Sequence, residues 1–224
     1  LMNQNNFALF PEPVCHMCSV THANFSQNMI KLVPFEVGNM SSQSSLDLSD
    51  NPGLEELPLY LGDITQLKIL TIECGALKMP APEVLCKGIP CVMEHLRTLS
   101  LALVEHKLDM SFYGLRKLPL EVRDLPELRD LNLDWNYISE FSEQVCQQCT
   151  GMTRLSLRGN RLTEIPAFFN GLASLTALHL DDNPLLKRLP KTLVELDSLV
   201  ELTVHNCRLT SPPQDIAARN IRED

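Results

Sequence analysis

One arrangement of apolar and polar residues recurs along the chain. In residues 128–138, apolar side chains occupy the first, fourth, sixth and eleventh positions, and an asparagine occupies the ninth. Segments that match this pattern begin at Val20, Gln43, Leu67, Leu96, Leu128, Met152, Leu175 and Leu199, so the spacings are 23, 24, 29, 32, 24, 23 and 24 residues. A pattern that returns at such a period predicts a repeat architecture in which each copy forms one structural unit.

The columns of the repeat predict a short strand followed by a turn. No polar residue occurs at the fourth or sixth position of any copy. Because successive strand residues face opposite sides, these two columns are expected to form a core, with the intervening residues facing solvent. Five of the eight copies carry asparagine at the ninth position. We expect its amide to bond backbone groups of the turn and to stack into a ladder, which Gly75 and Val104 interrupt.

An apolar residue followed by proline recurs beyond the asparagine. Proline restricts its own backbone and that of the residue before it, so each pair is expected to end an extended stretch and to turn the chain around the outer side of the repeat. The six pairs end at Pro34, Pro58, Pro80, Pro119, Pro166 and Pro190.

The two longest spacings flank the copy that begins at Leu96. They predict insertions over residues 81–95 and 103–116 of an otherwise regular array. Long loops often carry binding groups, but ordinary variation in loop length gives the same pattern. Both interpretations of the insertions stay open at this point.

The sequence resembles the leucine-rich repeat family over roughly residues 20–213, in its intracellular Ras-suppressor and Scribble-like type. The resemblance implies an α/β fold: a leucine-rich-repeat solenoid shaped as a curved horseshoe, with about eight repeats and a parallel β-sheet on the concave face. Residues 1–19 are then an N-terminal cap or the remnant of a preceding repeat, and residues 214–224 are the start of a truncated C-terminal cap.

Composition narrows the classes of partner. The 224 residues include 19 basic and 28 acidic side chains, for a net charge of −9, so no basic surface is available to bind nucleic acid. No apolar run has the length of a membrane span, and the segment from Leu1 to Asn6 does not read as a secretory signal. A cytoplasmic location is expected, with an extracellular one as the alternative that glycosylation at Asn24 or a Cys86–Cys91 disulfide would indicate.

The residues between the core columns are expected to line the concave face and to bind a partner protein. Trp135 lies in the same column as Gly159, which predicts either an exposed aromatic anchor or a ring lying flat on its neighbours. Arg158 falls between Asp134 and Asp181. It either forms ion pairs with these two residues, or a carboxylate of the partner breaks those pairs and binds Arg158 instead. Acidic residues on this face favour a partner with a basic segment. The predicted partner-binding residues are Asn132, Asp134, Trp135, Arg154, Arg158, His179, Asp181, Asp182, Glu201 and His205.

The residue patterns that could indicate catalysis or metal binding do not predict either function here. Asp181 and His205 lack a nucleophile beside them, so a surface ion pair is the expected arrangement. Two Cys-x-x-Cys pairs, at Cys15 and Cys146, lie too far apart along the array to share zinc, and buried thiols are the favoured interpretation. No catalytic, cofactor-binding or metal-binding residue is therefore assigned.

These observations predict a non-catalytic protein–protein interaction module in intracellular signal transduction or scaffolding. Two alternatives remain. One is a sensing or regulatory repeat region of a larger enzyme, such as a kinase, GTPase or ubiquitin ligase, and the other is an extracellular recognition module. The sequence leaves the oligomeric state undetermined.

Overall fold

A computed structural model describes residues 2–140 and 143–210. The predicted C-terminal cap at 214–224 lies outside the described residues. The chain divides into two compact units, residues 1–101 and residues 102–224, with the division inside one helix. They are called the N-terminal unit and the C-terminal unit below, and each is described by itself.

The N-terminal unit contains a parallel sheet of three short strands. These are β1 (His22–Asn24), β2 (Ser45–Asp47) and β3 (Ile69–Thr71), in that spatial order. Ala23, Leu46 and Leu70 are aligned across the sheet, as their shared fourth position in the repeat predicts. Leu46 and Leu70 are buried, which confirms that this column faces the core.

Two helices follow β3, and they correct the sequence interpretation of the copy at Leu96. The first is α1 (Pro82–Leu85) and the second is α2 (Ile89–Glu105). Leu96 and Leu99 are buried, whereas Leu101 is 53% exposed and Val104 is 78% exposed. The spacing that was expected to form a strand therefore forms a helix, because Val92, Leu96 and Leu99 recur at helical period and bury one face.

A glycine allows α2 to lie directly on the preceding repeat. A Cβ atom placed on Gly62 would come within 2.3 Å of the backbone nitrogen of Arg97. Beside this contact, the hydroxyl of Ser100 donates a hydrogen bond of 2.5 Å to Asp63. Only a residue without a side chain permits so close an approach, so α2 is fixed against the N-terminal unit.

The C-terminal unit contains a parallel sheet of five short strands. These are β4 (Lys107–Asp109), β5 (Asp130–Asn132), β6 (Arg154–Ser156), β7 (Ala177–His179) and β8 (Glu201–Thr203). Their aligned central residues are all buried leucines: Leu108, Leu131, Leu155, Leu178 and Leu202. A short helix, α3 (Glu143–Gln148), lies between β5 and β6.

Strand β4 shows that the sequence analysis assigned the wrong starting residue to one copy of the repeat. Leu108 pairs with Leu131, so this copy begins at Glu105, 23 residues before Leu128. The inserted segment is therefore residues 82–104, and the predicted insertion over residues 103–116 is wrong because residues 105–116 belong to the repeat of β4. A charged first residue and a tyrosine at the ninth position had hidden the copy.

The asparagine ladder has the predicted bonds. The amide of Asn160 donates to the carbonyls of Leu157 in its own repeat and Leu133 in the preceding one, at 3.0 and 2.9 Å. Its oxygen accepts the backbone N–H of Ile138 at 2.9 Å. Each asparagine thus joins two turns of the array. The same three bonds are made by Asn51, Asn136 and Asn183.

Most of the prolines after the ladder begin short helical segments on the outer side of the repeat. In five repeats the proline is the N-cap residue of a five-residue 3₁₀-helix, in agreement with the turn that the sequence predicts. Those helices are Phe35–Asn39, Leu59–Asp63, Leu120–Asp124, Ala167–Gly171 and Lys191–Glu195, and a further one, Glu12–His16, precedes β1.

Candidate protein-binding face

The exposed side of the five-stranded sheet carries all ten predicted partner-binding residues. We call this side the front face and define it by the third, fifth, seventh and eighth positions of the five C-terminal repeats. Four of the ten residues belong to the strands, namely Asn132, Arg154, His179 and Glu201. The other six lie in the turns that directly follow: Asp134, Trp135, Arg158, Asp181, Asp182 and His205.

The eighth position of these repeats has an unusual backbone conformation. Phe112 has φ of 61°, Trp135 has 56°, and Gly159 has 65°. This left-handed region is costly for residues with a Cβ atom, so the turn that the asparagine ladder holds must impose it. The consequence is that one turn after another points its eighth side chain in a fixed direction.

Trp135 lies on Gly159 and beside Phe112. A Cβ atom on Gly159 would be 2.4 Å from Cε3 of the indole ring, so the ring occupies the space that any larger residue would need. The rings of Phe112 and Trp135 are stacked with centroids 6.4 Å apart and planes 10° from parallel. Trp135 is 49% exposed and Phe112 is 71% exposed. Together they form an aromatic pair, a flat apolar surface in an otherwise polar face.

Asp181 is the centre of a hydrogen-bonded cluster in the last two repeats. It accepts bonds from the hydroxyl of Thr203 at 2.6 Å, from the backbone N–H of His205 at 2.8 Å and from Nδ1 of His205 at 2.9 Å. Nε of Arg158 lies 3.5 Å from the same carboxylate. Burial alone would raise the pKa of Asp181, but the bonds from Thr203 and His205 and the charge of Arg158 together lower it.

This geometry corrects the expectation that Asp181 is available to a basic ligand. Its side chain is only 8% exposed, and its oxygens are already bonded within the face. Arg158 pairs with Asp181. Of the two alternatives that the sequence left open for Arg158, this is the pairing within the face. Asp181 therefore positions Arg158 and His205, and the exposed Glu201 is the better candidate to meet a cation.

Asp134 continues the polar cluster toward the aromatic pair. Its carboxylate accepts the hydroxyl of Ser156 at 2.5 Å and the backbone N–H of Arg158 at 2.9 Å. Its own N–H donates to Asn132 at 3.0 Å. Together with the contacts from Arg158 to Asp181 and from Asp181 to His205, these bonds link the turns of four successive repeats, which holds the front face in one arrangement.

The remaining predicted residues lie at the margin of this cluster. Nδ1 of His179 is 3.2 Å from the hydroxyl of Thr203 and 3.9 Å from Glu201. Asp182 accepts a bond of 2.8 Å from Asn206, and Arg154 is exposed. These residues add charge to the face without joining the central bonds at Asp181.

Sequence analysis missed Phe112, Ser156 and Thr203. Ser156 and Thr203 occupy the fifth position of their repeats, and nothing in the sequence distinguishes them from the other polar residues at that position. Phe112 was missed because its repeat was placed in the wrong register. The normal spacing of 23 residues back from Leu128 would have revealed it.

The three buried cysteines are thiols in poor surroundings for metal binding. Burial, followed by the charges of Glu36 and Glu12, raises the pKa of Cys15 to about 11. Burial raises the pKa of Cys146 to about 12 and that of Cys149 to about 11. Thiols of this kind stay protonated at neutral pH. All eight cysteines are unpaired, Cys86 and Cys91 included.

The described part of the chain contains no group of three or more His, Cys, Asp or Glu residues arranged to hold a metal ion. Within residues 2–140 and 143–210, none of the helices combines the length and the apolar character of a transmembrane segment.

Comparison with known proteins agrees with the repeat geometry. Residues 150–209 match the family model described as leucine rich repeat. The leucine-rich repeat family is therefore supported. Domains of this family are generally protein–protein interaction modules, and their fold is typically non-catalytic.

Two curated proteins and one solved structure are similar to the chain. It is 24% identical over 217 residues to leucine-rich repeat serine/threonine-protein kinase 1 of Mus musculus, covering 96% of this chain and 10% of that protein. It is 36% identical over 73 residues to leucine-rich repeat protein 1 of Homo sapiens, covering 28% of this chain and 18% of that protein. The chain thus spans less than a fifth of the length of either relative.

The solved structure is the leucine-rich repeat domain of the type III effector XopL. The two chains are 23% identical, with a TM-score of 0.49 and coverage of 95% of this chain and 70% of the other.

Proposed function

We propose that this protein is a non-catalytic interaction module that binds a partner protein through the front face of the C-terminal unit, in cytoplasmic signalling or scaffolding. The observation that carries the proposal is the aromatic pair of Phe112 and Trp135. An exposed tryptophan on a rigid polar face is among the residue types that most often dominate binding energy at protein interfaces.

The aromatic pair is already ordered before any partner binds. The indole ring rests on Gly159 and stacks on Phe112, so little side-chain freedom remains to be lost on binding. Hydrogen bonds around Asp134 and Asp181 hold the surrounding turns in the same way. A partner would therefore meet a preformed surface, with an apolar area beside polar side chains.

Charge on the front face favours a partner with a basic segment. Glu201 is 54% exposed at its side chain, and Asp109 is exposed on β4. With a net charge of −9, the whole chain would also attract a basic partner at low salt. Binding is expected to weaken as salt is raised, chiefly through a slower association rate.

The test compares two aromatic substitutions with a matched control. Trp135→Ala and Phe112→Ala are each expected to remove the same captured proteins from affinity purification of cell extract, quantified by mass spectrometry. Tyr137→Ala is the control, because Tyr137 is 51% exposed in the same repeat but contacts Arg161 instead of the aromatic pair. A protein lost from both variants and kept by the control would then be purified, and its affinity measured.

The same experiment has an outcome against the proposal. If both aromatic variants fold and keep every partner of the parent chain, the front face of the C-terminal unit is not the binding surface. Arg158→Glu gives a second comparison, since it reverses charge beside Asp181 without touching the aromatic pair.

A second candidate function is a regulatory repeat region within a larger enzyme. It is favoured by the similarity to the kinase of Mus musculus, which runs along 96% of this chain. The sequence of the full-length transcript decides between the two. A catalytic domain in the same reading frame would support the regulatory role, and its absence would leave the independent module.

A further inference from the structure

One edge of β3 in the N-terminal unit has no strand paired with it within the described residues. The sheet order is β1, β2, β3, and no other strand within the described residues pairs with β3. The backbone N–H of Ile69 donates to Ser44, and the carbonyl of Thr71 accepts from Leu48, so these two residues bond β2. Since parallel strands bond alternate residues to opposite neighbours, the N–H and C=O groups of Leu70 and Ile72 face the open edge.

An apolar cleft runs beside this edge. It has a volume of about 320 Å³, and its walls include Ile69 and Leu70 from the strand and Ile89, Pro90 and Met93 from α2. Ile69 is 58% exposed, although it occupies a column that is polar in both other strands of the sheet. An exposed isoleucine next to unpaired backbone groups is the combination that most soluble proteins avoid at a sheet edge.

The wall formed by α2 is held in place. Its backbone at Arg97 rests on Gly62, and Ser100 bonds Asp63. The cleft is therefore formed in the unbound chain and does not need to be opened by a ligand.

We propose that an extended segment of a partner protein adds to this edge as a fourth strand and places an apolar side chain in the cleft. The backbone groups of Leu70 and Ile72 repeat every second residue, and an extended chain presents donors and acceptors at that spacing. The cleft selects Val, Ile, Leu or Phe at the residue that faces it. Exposed Glu73, at the end of the strand, favours a basic residue next to the apolar one.

The site uses different residues from the front face of the C-terminal unit, so each surface can be tested while the other is intact. The Trp135→Ala and Ile69→Lys variants separate them: binding at the β3 edge is expected to survive the first substitution and to be lost in the second.

The first experiment probes the backbone pattern with capped synthetic peptides that carry Val, Ile, Leu or Phe at two alternate central positions between terminal lysines. In spectra of the ¹⁵N-labelled chain, the amides of Leu70 and Ile72 are expected to shift and to exchange with solvent more slowly when a peptide binds. N-methylation of alternate peptide amides is expected to weaken binding about tenfold per lost hydrogen bond, whereas methylation of the amides between them has little effect.

The second experiment places charge in the cleft. Ile69→Lys is expected to abolish peptide binding, because it removes an apolar wall of the cleft and a bound peptide would have to cover the ammonium group with apolar side chains. The matched control is His22→Lys, which makes an exposed lysine in the same column two strands away. The control is expected to bind the peptides as the parent chain does.

Three results would overturn the proposal. The first is that none of the peptides binds, and the second is that N-methylation weakens binding without a two-residue alternation. The third is protection of the Leu70 and Ile72 amides that rises with protein concentration in the absence of peptide, because the edge would then be covered by a second copy of the chain.

Discussion

The three-stranded and five-stranded sheets are built from one repeat but differ in what they present to solvent. On the N-terminal sheet, Asn24 and Asp47 accept bonds from serines two residues further along their own turns, and the amide of Asn24 donates to Asp47 of the next repeat at 3.2 Å, so small polar side chains make these contacts. On the front face of the C-terminal unit, larger side chains such as Trp135 and Arg158 reach the neighbouring repeat. The core columns are alike in the two sheets, so the exposed columns are where such an array can diverge in function.

The two units also differ in how their ladders end. In the N-terminal unit the asparagines stop at Asn51, and Gly75 stands where the next would be. In the C-terminal unit Asn136, Asn160 and Asn183 are followed by Cys207, whose thiol donates to the carbonyl of Leu180 at 3.2 Å. Cysteine thus preserves the bond to the preceding repeat, whereas glycine cannot, and β3 is the strand after which the first sheet ends.

The largest expected effect is a loss of stability when a ladder asparagine is replaced. Comparing this loss in the two units tests whether the asparagine ladder stabilises both of them to the same extent. Asn51→Ala and Asn160→Ala should each lower the free energy of unfolding by about 3 kcal/mol, because buried carbonyl and N–H groups of two repeats lose their partner. Urea unfolding followed by circular dichroism measures the loss. Asn170→Ala is the control, since exposed Asn170 bonds only Glu195, and it should change stability by less than about 0.5 kcal/mol. A small loss for Asn51→Ala alone would limit the role of the ladder to the C-terminal unit.

The contact between α2 and the N-terminal unit is tested by a single methyl group. Gly62→Ala places a Cβ atom against the backbone of α2, and the helix must shift, at a cost of about 2 kcal/mol. Hydrogen exchange at the amides of β2 and β3 should become faster. Gly53→Ala is the matched control, because its Cβ atom would meet the flexible side chain of Lys31 at 3.0 Å and the backbone of Ile30 only at the ordinary contact distance of 3.8 Å. Equal exchange rates in the two variants would contradict the close packing described for α2.

A slightly smaller effect is expected from filling the space under Trp135. Gly159→Ala combines a left-handed φ of 65° with a collision against the indole ring, and should cost about 1 to 2 kcal/mol. Trp135 is the only tryptophan, so its fluorescence emission should shift as the ring is displaced.

Gly114→Ala is the control that distinguishes backbone strain at a positive φ from displacement of the Trp135 ring. Gly114 has φ of 81°, and nothing lies within 4 Å of the position that its Cβ atom would occupy. This variant should lose stability without a change in emission. An unchanged spectrum in Gly159→Ala would show that the indole does not rest on Gly159.

The smallest effect concerns acid stability in the C-terminal unit. The pKa of Asp181 is lower in the folded chain than its ordinary value of 3.8, so its contribution is fully present above that value and is lost as the pH falls through the folded pKa. The free energy of unfolding should therefore decrease below about pH 4, by less than about 1 kcal/mol from this residue. Asp181→Asn should flatten this part of the curve, whereas Asp182→Asn should leave it unchanged. The same slope in both variants would assign the acid effect to other carboxylates.

The sequence predicted the inward columns correctly, and one copy incorrectly. Leu131, Leu155 and Leu178 are buried as alternation along a strand requires. The copy at Leu96 was wrong because Leu96 and Leu99 satisfy the first and fourth positions of the repeat and also have the helical spacing of α2, and the repeat pattern by itself does not choose between them. Because of that error the copy that begins at Glu105 was not recognised, and Phe112, one member of the aromatic pair, was not predicted to lie on the front face.

What the sequence by itself determined is the repeat: its apolar columns, its asparagine ladder and the prolines that turn the chain. These features depend on contacts between nearby residues or between equivalent positions one period apart, and a periodic pattern records both. Tertiary structure alone decided that Asp181 is bonded within the face, that Phe112 stacks on Trp135, and that α2 rests on Gly62 and leaves the edge of β3 open. Those outcomes depend on how particular side chains fill the space between neighbouring repeats, and a pattern of residue types does not contain that information.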